Sequence, residues 1–207
     1  MTQTKSGRRR QAARNDTAIL EAAREVFLND PKAPISAVAD RAGVGMSALY
    51  RRYASKEDLL RQLCRDGLRR FIAEAETAAN EPEHWSALVG FLQRVVDADV
   101  HSLTVHLAGT FTPTAEMTAD AIRAGQLVAS LVDDALASGE LRRDITAQDI
   151  ALILEGCAAV RLPDPERTKQ LRRRHLALLV AGLASNGQDL PGPPPAADEL
   201  NWRWRRS

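Results

Sequence analysis

Five side chains between Ser47 and Lys56 are suited to gripping an anion. Ser47, Tyr50, Arg51, Arg52 and Lys56 place a hydroxyl, a phenol, two guanidinium groups and an ammonium within ten residues. Donors of this kind suit the oxygens of a phosphate backbone. Bond-breaking chemistry has no comparable cluster. His84, His101, His106 and His175 are scattered, and Asp133 and Asp134 are adjacent, so their carboxylates diverge on a helix. No glycine loop cradles a phosphate, and the two helical Glu-x-x-His motifs of a di-iron bundle do not occur. The sequence therefore indicates no enzyme, no cofactor and no metal set. Cys64 and Cys157 form neither a metal spacing nor a disulfide framework and read as small buried hydrophobes in a reducing cytoplasm.

The anion-binding groups need a rigid support, which the surrounding pattern supplies. In "RAGVGMSALYRRYASKEDLL" (41–60), Gly43 and Gly45 interrupt an otherwise helical stretch. Gly43 reads as a helix terminator, because a left-handed backbone costs glycine almost nothing. The helix it ends opens at Pro34 or Ile35, with Val38 and Ala42 facing inward. The next helix starts at about Gly45 or Met46 and ends near Tyr53. Val44, Leu49 and Tyr53 pack back on the first helix, which leaves Ser47, Tyr50 and Arg51 on the opposite face, flanked by Met46, Ala48 and Arg52. Residues 35–53 thus predict a helix-turn-helix. Gly45 leaves the start of the second helix bare, open to a phosphate. Small outward side chains permit approach to a major groove, Met46 can touch a thymine methyl, and Lys56 adds a phosphate contact.

Around this motif the chain reads as helix throughout. Helical periodicity runs from Asp16 to Ser185 without a convincing alternating strand, and predicts an all-α fold of about nine helices. The first helix is capped by Asn15 or Asp16, and "NDPKAP" (29–34) breaks it. Ser55 caps a long fourth helix ending near Asn80. Further amphipathic stretches cover 84–103, 115–137, a run opened by Thr146 and Asp149, and a last helix capped by Asp164. At 207 residues and 44% apolar content the chain can bury a sizeable core, and no apolar run is long enough to span a membrane. Net charge is +1, but the first 60 residues carry eleven Lys or Arg against seven Asp or Glu. Four segments follow: a basic flexible arm (1–15), a three-helix DNA-binding unit (16–60), a larger helical domain (61–187), and a proline-rich flexible tail (188–207). The arm, with Lys5, Arg8, Arg9, Arg10 and Arg14, would be drawn to a polyanion. The end of the tail, Trp202 to Arg206, alternates aromatic and basic groups and is read as a mobile terminus.

Three stretches, "ILEAAREVF" (19–27), "VADRAGVGMSALYRRYASKEDLL" (38–60) and "SGELRRDITAQDIALIL" (138–154), resemble the tetracycline-repressor (TetR) family of bacterial transcriptional regulators. The resemblance implies DNA contacts from Ser36, Met46, Ser47, Tyr50, Arg52 and Lys56. It also implies a helical effector and dimerisation domain from about residue 67 onward. Two positions depart from the family pattern: Gly45 stands where serine is usual, and Pro34 where threonine is frequent.

One recognition helix reads only a few base pairs, so a palindromic operator and a twofold homodimer are expected. Ile150, Ile153, Leu154 and Cys157 form one apolar stripe, and Leu176, Leu179 and Leu183 form a second. Two such helices per subunit would build a four-helix interface, and the same stripes would also serve a protomer's own core. Asp99, His106, Phe111 and Arg123 are the candidates for polar or aromatic contacts in an effector pocket that is otherwise apolar. The reading is a cytoplasmic, ligand-responsive repressor that binds double-stranded DNA and is released by a small, largely apolar effector. Two alternatives stand beside it: a transcriptional activator, and a small-molecule-binding or enzymatic helical bundle with a vestigial helix-turn-helix.

Overall fold

The computed structural model describes residues 3–184, 188–196 and 199–200, with side chains from residue 15 onward. Nine α-helices follow one another among the described residues: α1 (Gln3–Asn29), α2 (Ile35–Ala42), α3 (Met46–Arg52), α4 (Lys56–Ala79), α5 (His84–Asp97), α6 (Val100–Leu107), α7 (Ala115–Ala137), α8 (Ala147–Ala159) and α9 (Pro165–Leu183). The only extended pairing among them is an isolated bridge between Leu141 and Ala184. No described helix is long and apolar enough to cross a membrane. The Trp202–Arg206 run lies outside the described residues.

Local chemistry accounts for the helix ends. The Ser55 hydroxyl accepts the Asp58 N–H at 3.1 Å, and Asp164 accepts the N–H groups of Glu166 and Arg167. Thr146 and Asp149 cap each other reciprocally at the start of α8. At the end of α2, Gly43 takes φ +65°; its N–H donates to Asp40 while Val44 N–H reaches back to Ala39 at 3.0 Å. This is the doubly bonded glycine stop that reverses the chain into α3.

Two boundaries differ from the sequence reading. Helix α1 is already running at Gln3, so Asn15 and Asp16 are interior residues of it rather than its cap. Arginine, glutamine and alanine in "GRRRQAARND" are good helix formers and outweigh the local capping signal. The single stretch 84–103 is two helices, parted at Ala98 and at Asp99, whose φ of +51° is left-handed. No proline or glycine marks that break.

The side chains bury into two clusters. The N-terminal one gathers Ile19, Phe27, Val38, Leu49, Tyr53, Leu59 and Leu63 with Leu103 and Leu107 of α6, Phe111, and Met117 of α7. Its core therefore extends well past residue 60. The second gathers Leu88, Phe91, Leu92, Val95, Leu131, Ile150, Leu154 and Leu176. Helix α4 contributes to both, with Leu59, Leu60, Leu63 and Cys64 in the first and Ala75 and Ala78 in the second. Burial pushes the Cys64 thiol up to about 12 and the Cys157 thiol up to about 11, so both behave as packing groups rather than nucleophiles.

Candidate functional site

Helix α3 has one dry face and one open face. Leu49 and Tyr53 are buried in the N-terminal cluster, and Met46 is half-buried against it. Ser47, Tyr50 and Arg51 point away from that cluster into solvent, Tyr50 being 49% exposed, and Ser36 of α2 is exposed as well. Gly45 precedes α3 with φ −71°, and a Cβ built there would meet nothing within 4 Å. The fold therefore does not require glycine at 45, and the open space around it lies at the start of the exposed face.

The other two cations are tied to partners within the protein. Arg52 grips the Asp16 carboxylate with two bonds of 2.7 Å, and the Tyr53 hydroxyl donates to the same carboxylate at 2.7 Å. Arg52 thereby holds Asp16 below the usual carboxylate range, while burial and the bond to Asp16 push the Tyr53 phenol up. Lys56 donates from Nζ to the carbonyls of Pro31 at 2.9 Å and Ala33 at 2.7 Å, with the ammonium 4.9 Å from the centre of the Phe27 ring. Desolvation lowers its pKa. These two side chains set the pose of α3 and of the α1–α2 loop.

A cavity of about 260 Å³ opens in the larger half. Its walls are Leu68 and Phe71 of α4, Val100, His101 and Thr104 of α6, Ala124 and Val128 of α7, and Ile150 and Leu154 of α8. Ala196 and Leu200 complete the lining from the tail. Most of this surface is aliphatic or aromatic, with His101, Thr104 and Gln148 as the polar groups. Helix α6 thus lines the cavity through Val100, His101 and Thr104 while burying Leu103 and Leu107 in the N-terminal cluster.

Comparison with known proteins agrees with this geometry. The profile described as "Bacterial regulatory proteins, tetR family" matches residues 19–63, across α1 to α4. The profile described as "Transcriptional regulator SbtR-like, C-terminal domain" matches residues 81–185, about half of the chain. The chain belongs to the TetR family.

Solved TetR-family structures share the fold. The regulator SCO0520 from Streptomyces coelicolor is 25% identical, with 83% of this chain and 99% of that one covered, at a TM-score of 0.58. LfrR from Mycobacterium smegmatis, solved in complex with proflavine, is 22% identical over 86% of this chain and 99% of that one, at 0.62. CprB from S. coelicolor is 18% identical over 93% and 94%, at 0.65. No curated protein sequence matches the chain.

In this TetR-family protein none of the four residues read as pocket candidates lines the cavity. Asp99 sits at the α5–α6 junction, where its carboxylate pairs with Arg24 of α1 at 2.7 Å, with Arg172 of α9, and with the Ser102 hydroxyl. His106 bonds through Nδ1 to the Ser102 carbonyl at 2.8 Å, one turn back along α6. Phe111 is buried in the N-terminal cluster, and Arg123 is exposed and paired with Glu76. Their places beside the apolar face of the fifth helix and around the 104–114 break marked these residues, but Asp99, His106 and Arg123 are satisfied by neighbours and Phe111 is core.

The two C-terminal stripes are similarly placed. Ile150, Leu154, Cys157, Leu176 and Leu183 lie in the second cluster of their own protomer, with Ile153 and Leu179 packed against it. These helices also carry apolar groups on their outer side: Leu152 is exposed on α8, and Leu178 on α9 is 65% exposed. Gly156 lies where α8 and α9 meet, a Cβ there falling 3.4 Å from His175 Nε2.

Proposed function

We propose that this TetR-family regulator is a ligand-responsive repressor that binds a palindromic operator as a homodimer in the cytoplasm. The observation that carries the reading is the open face of α3, where Ser47, Tyr50 and Arg51 stand clear of the protein while Leu49 and Tyr53 lock the opposite side. A rigid helix with exposed hydroxyl, phenol and guanidinium groups suits a major groove. In this reading Ser36, Gly45, Met46, Ser47, Tyr50 and Arg51 contact DNA or admit its backbone. Arg52 and Lys56 act mainly by fixing the shape of the contact surface. A mobility-shift titration against the DNA flanking the protein's own gene tests the proposal, with an unrelated duplex as competitor. Arg51→Ala is expected to weaken binding across sequences and to reduce the slope of log affinity against log salt by about one. An unchanged slope would remove its phosphate role.

The effector of this reading is a small, largely apolar molecule seated in the 260 Å³ cavity. Among the neighbours, LfrR was solved with proflavine, and another is a ketosteroid transcriptional regulator. Release follows from α6, which lines the cavity and is packed in the N-terminal cluster at the same time. A ligand that displaces α6 moves α1 and α4 with it. Two heads must sit about 34 to 36 Å apart, one duplex turn, or a multiple of it, so a small change in separation abolishes binding. DNA then weakens ligand by the same factor that ligand weakens DNA.

The homodimer of this proposal uses the outer faces of α8 and α9, with Leu152 and Leu178 at its centre. Leu178→Asp places a charge there without touching the protomer core. It is expected to convert a dimer to a monomer in light scattering and to lower operator affinity by about tenfold or more. A wild-type chain that is monomeric at micromolar concentration would end the dimer proposal.

A further inference from the structure

The tail beyond α9 is tied down at one end and meets the cavity at the other. Its first described residues are held by a charged clamp on the α7–α8 loop. Arg142 is buried and grips Asp144 through Nε at 2.6 Å and through a second nitrogen at 2.9 Å. The same guanidinium donates to the Gln188 carbonyl, and the Leu190 N–H donates to Asp144 at 2.8 Å. Arg142 also uses its own N–H on the Leu183 carbonyl at 3.0 Å, so the loop holds both the end of α9 and the start of the tail.

From this clamp the chain runs through Pro191, Gly192, Pro193, Pro194 and Pro195. Proline has little conformational freedom to lose, so the run from Pro193 to Pro195 that follows the bend at Gly192 (φ +79°) orders at low entropic cost. Two bonds tie its end: the Glu199 carboxylate accepts the Ala196 N–H at 2.7 Å, and the Glu199 N–H donates to the Ala196 carbonyl at 3.1 Å. Ala196 and Leu200 lie on the cavity, beside helices α4, α6, α7 and α8. The clamp, the proline run and the Ala196–Glu199 bonds are three separate features, and each favours an ordered strap over a loose end.

We propose that this segment is a built-in strap forming one wall of the effector cavity, so that Ala196 and Leu200 touch bound ligand and control its passage in and out. The idea rests on the cavity being the effector site. It adds that ligand size and residence are set partly by the tail, outside the helical bundle. Leu200 is the residue on which this depends, since it is the bulky apolar group the strap brings to the cavity.

The test uses the full-length protein, a Leu200→Ser variant and a chain ending after Leu190, which keeps the clamp. The probe is N-phenyl-1-naphthylamine, a small apolar fluorophore followed by stopped flow. An Ala124→Phe substitution, which fills the cavity, is added to each background. The expected result is an association rate and a dissociation rate each raised by about tenfold in both altered tails, with binding lost on adding Ala124→Phe. If both tails leave the rates unchanged while Ala124→Phe still removes binding, the cavity stands as the ligand site and the strap is overturned. If Ala124→Phe has no effect in any background, the probe binds elsewhere and both ideas fall. Should the truncated chain not fold, Leu200→Ser alone decides, because it alters one half-exposed side chain.

Discussion

Replacing Asp99 with alanine is expected to destabilise the protein by about 3 kcal/mol, because it strands a buried arginine. Arg172 has only 7% of its side chain exposed, and its other nitrogens are occupied by the Val160 carbonyl at 2.9 Å and the Ala158 carbonyl at 3.2 Å. Asp99 supplies its counter-charge while also pairing with Arg24, whose guanidinium reaches the Asp99 carbonyl at 2.6 Å. One aspartate therefore fastens α1, the head of α6, the end of α8 and α9. The left-handed backbone at Asp99 adds about 1 kcal/mol against alanine. The Asp99→Asn variant tolerates that backbone, since asparagine also enters the left-handed region, and so isolates the loss of charge. Thermal unfolding at neutral pH should show a melting point lowered by roughly 6 to 12 °C for Asp99→Ala and by less for Asp99→Asn. A shift within about 2 °C for both would mean that the junction holds no charge-dependent stability. A functional consequence accompanies this, because Arg24 belongs to the DNA-binding unit and Asp99 adjoins the cavity residues Val100 and His101. Asp99→Asn should therefore reduce the effector's influence on operator affinity more than it reduces operator affinity itself.

The second large effect falls on Asp16. Its carboxylate takes two bonds from Arg52 and one from the Tyr53 hydroxyl, pinning the last turn of α3 to α1. Arg52 is 61% exposed along its side chain, so the ion pair alone contributes little in water. The Tyr53 hydroxyl is different, because it is part-buried and loses its acceptor when the carboxylate goes. Asp16→Ala should cost about 2 kcal/mol and weaken DNA binding by loosening the frame beneath Tyr50 and Arg51. The pH dependence has a definite sign. The folded-state pKa of Asp16 lies below its unfolded value of about 4, so its stabilisation is present above that pH and fades as pH falls through the folded value. Wild type and Asp16→Asn should differ most in melting point near neutrality and converge as the solution is made more acid than about pH 4. A gap that stays constant down to about pH 3 would show that the carboxylate's charge does not matter.

The helix-turn-helix was legible because its signals are local. Gly43 terminates one helix with a positive φ, Ser55 caps another, and the apolar residues between them have one consistent inner side. The charges on it were less legible. Arg52 and Lys56 look like phosphate ligands in a string of residues, yet their partners are Asp16, 36 residues earlier, and the carbonyls of Pro31 and Ala33. A lysine that donates to two loop carbonyls carries no local mark of doing so. The cavity was unreadable for the same reason, since α4, α6, α7, α8 and the tail form it only once packed. The stripes of α8 and α9 were readable as stripes, but a helix with apolar groups on two sides does not reveal which side meets its own core. The left-handed turn at Asp99 gave no warning, because aspartate is only occasionally found there and neither glycine nor proline stands beside it.

Helix α4 has 24 residues and makes a rod about 36 Å long, unbroken between the two clusters. Tilting such a rod by about 5° about its far end carries its tip roughly 3 Å, simply from its length. In the proposed homodimer each subunit would act as a lever of this kind, with opposite sense across a twofold axis, so the displacement between tips would be doubled. Under that proposal a ligand would need to disturb the cavity wall by only a fraction of an ångström for the gap between tips to change by more than the width of a hydrogen bond.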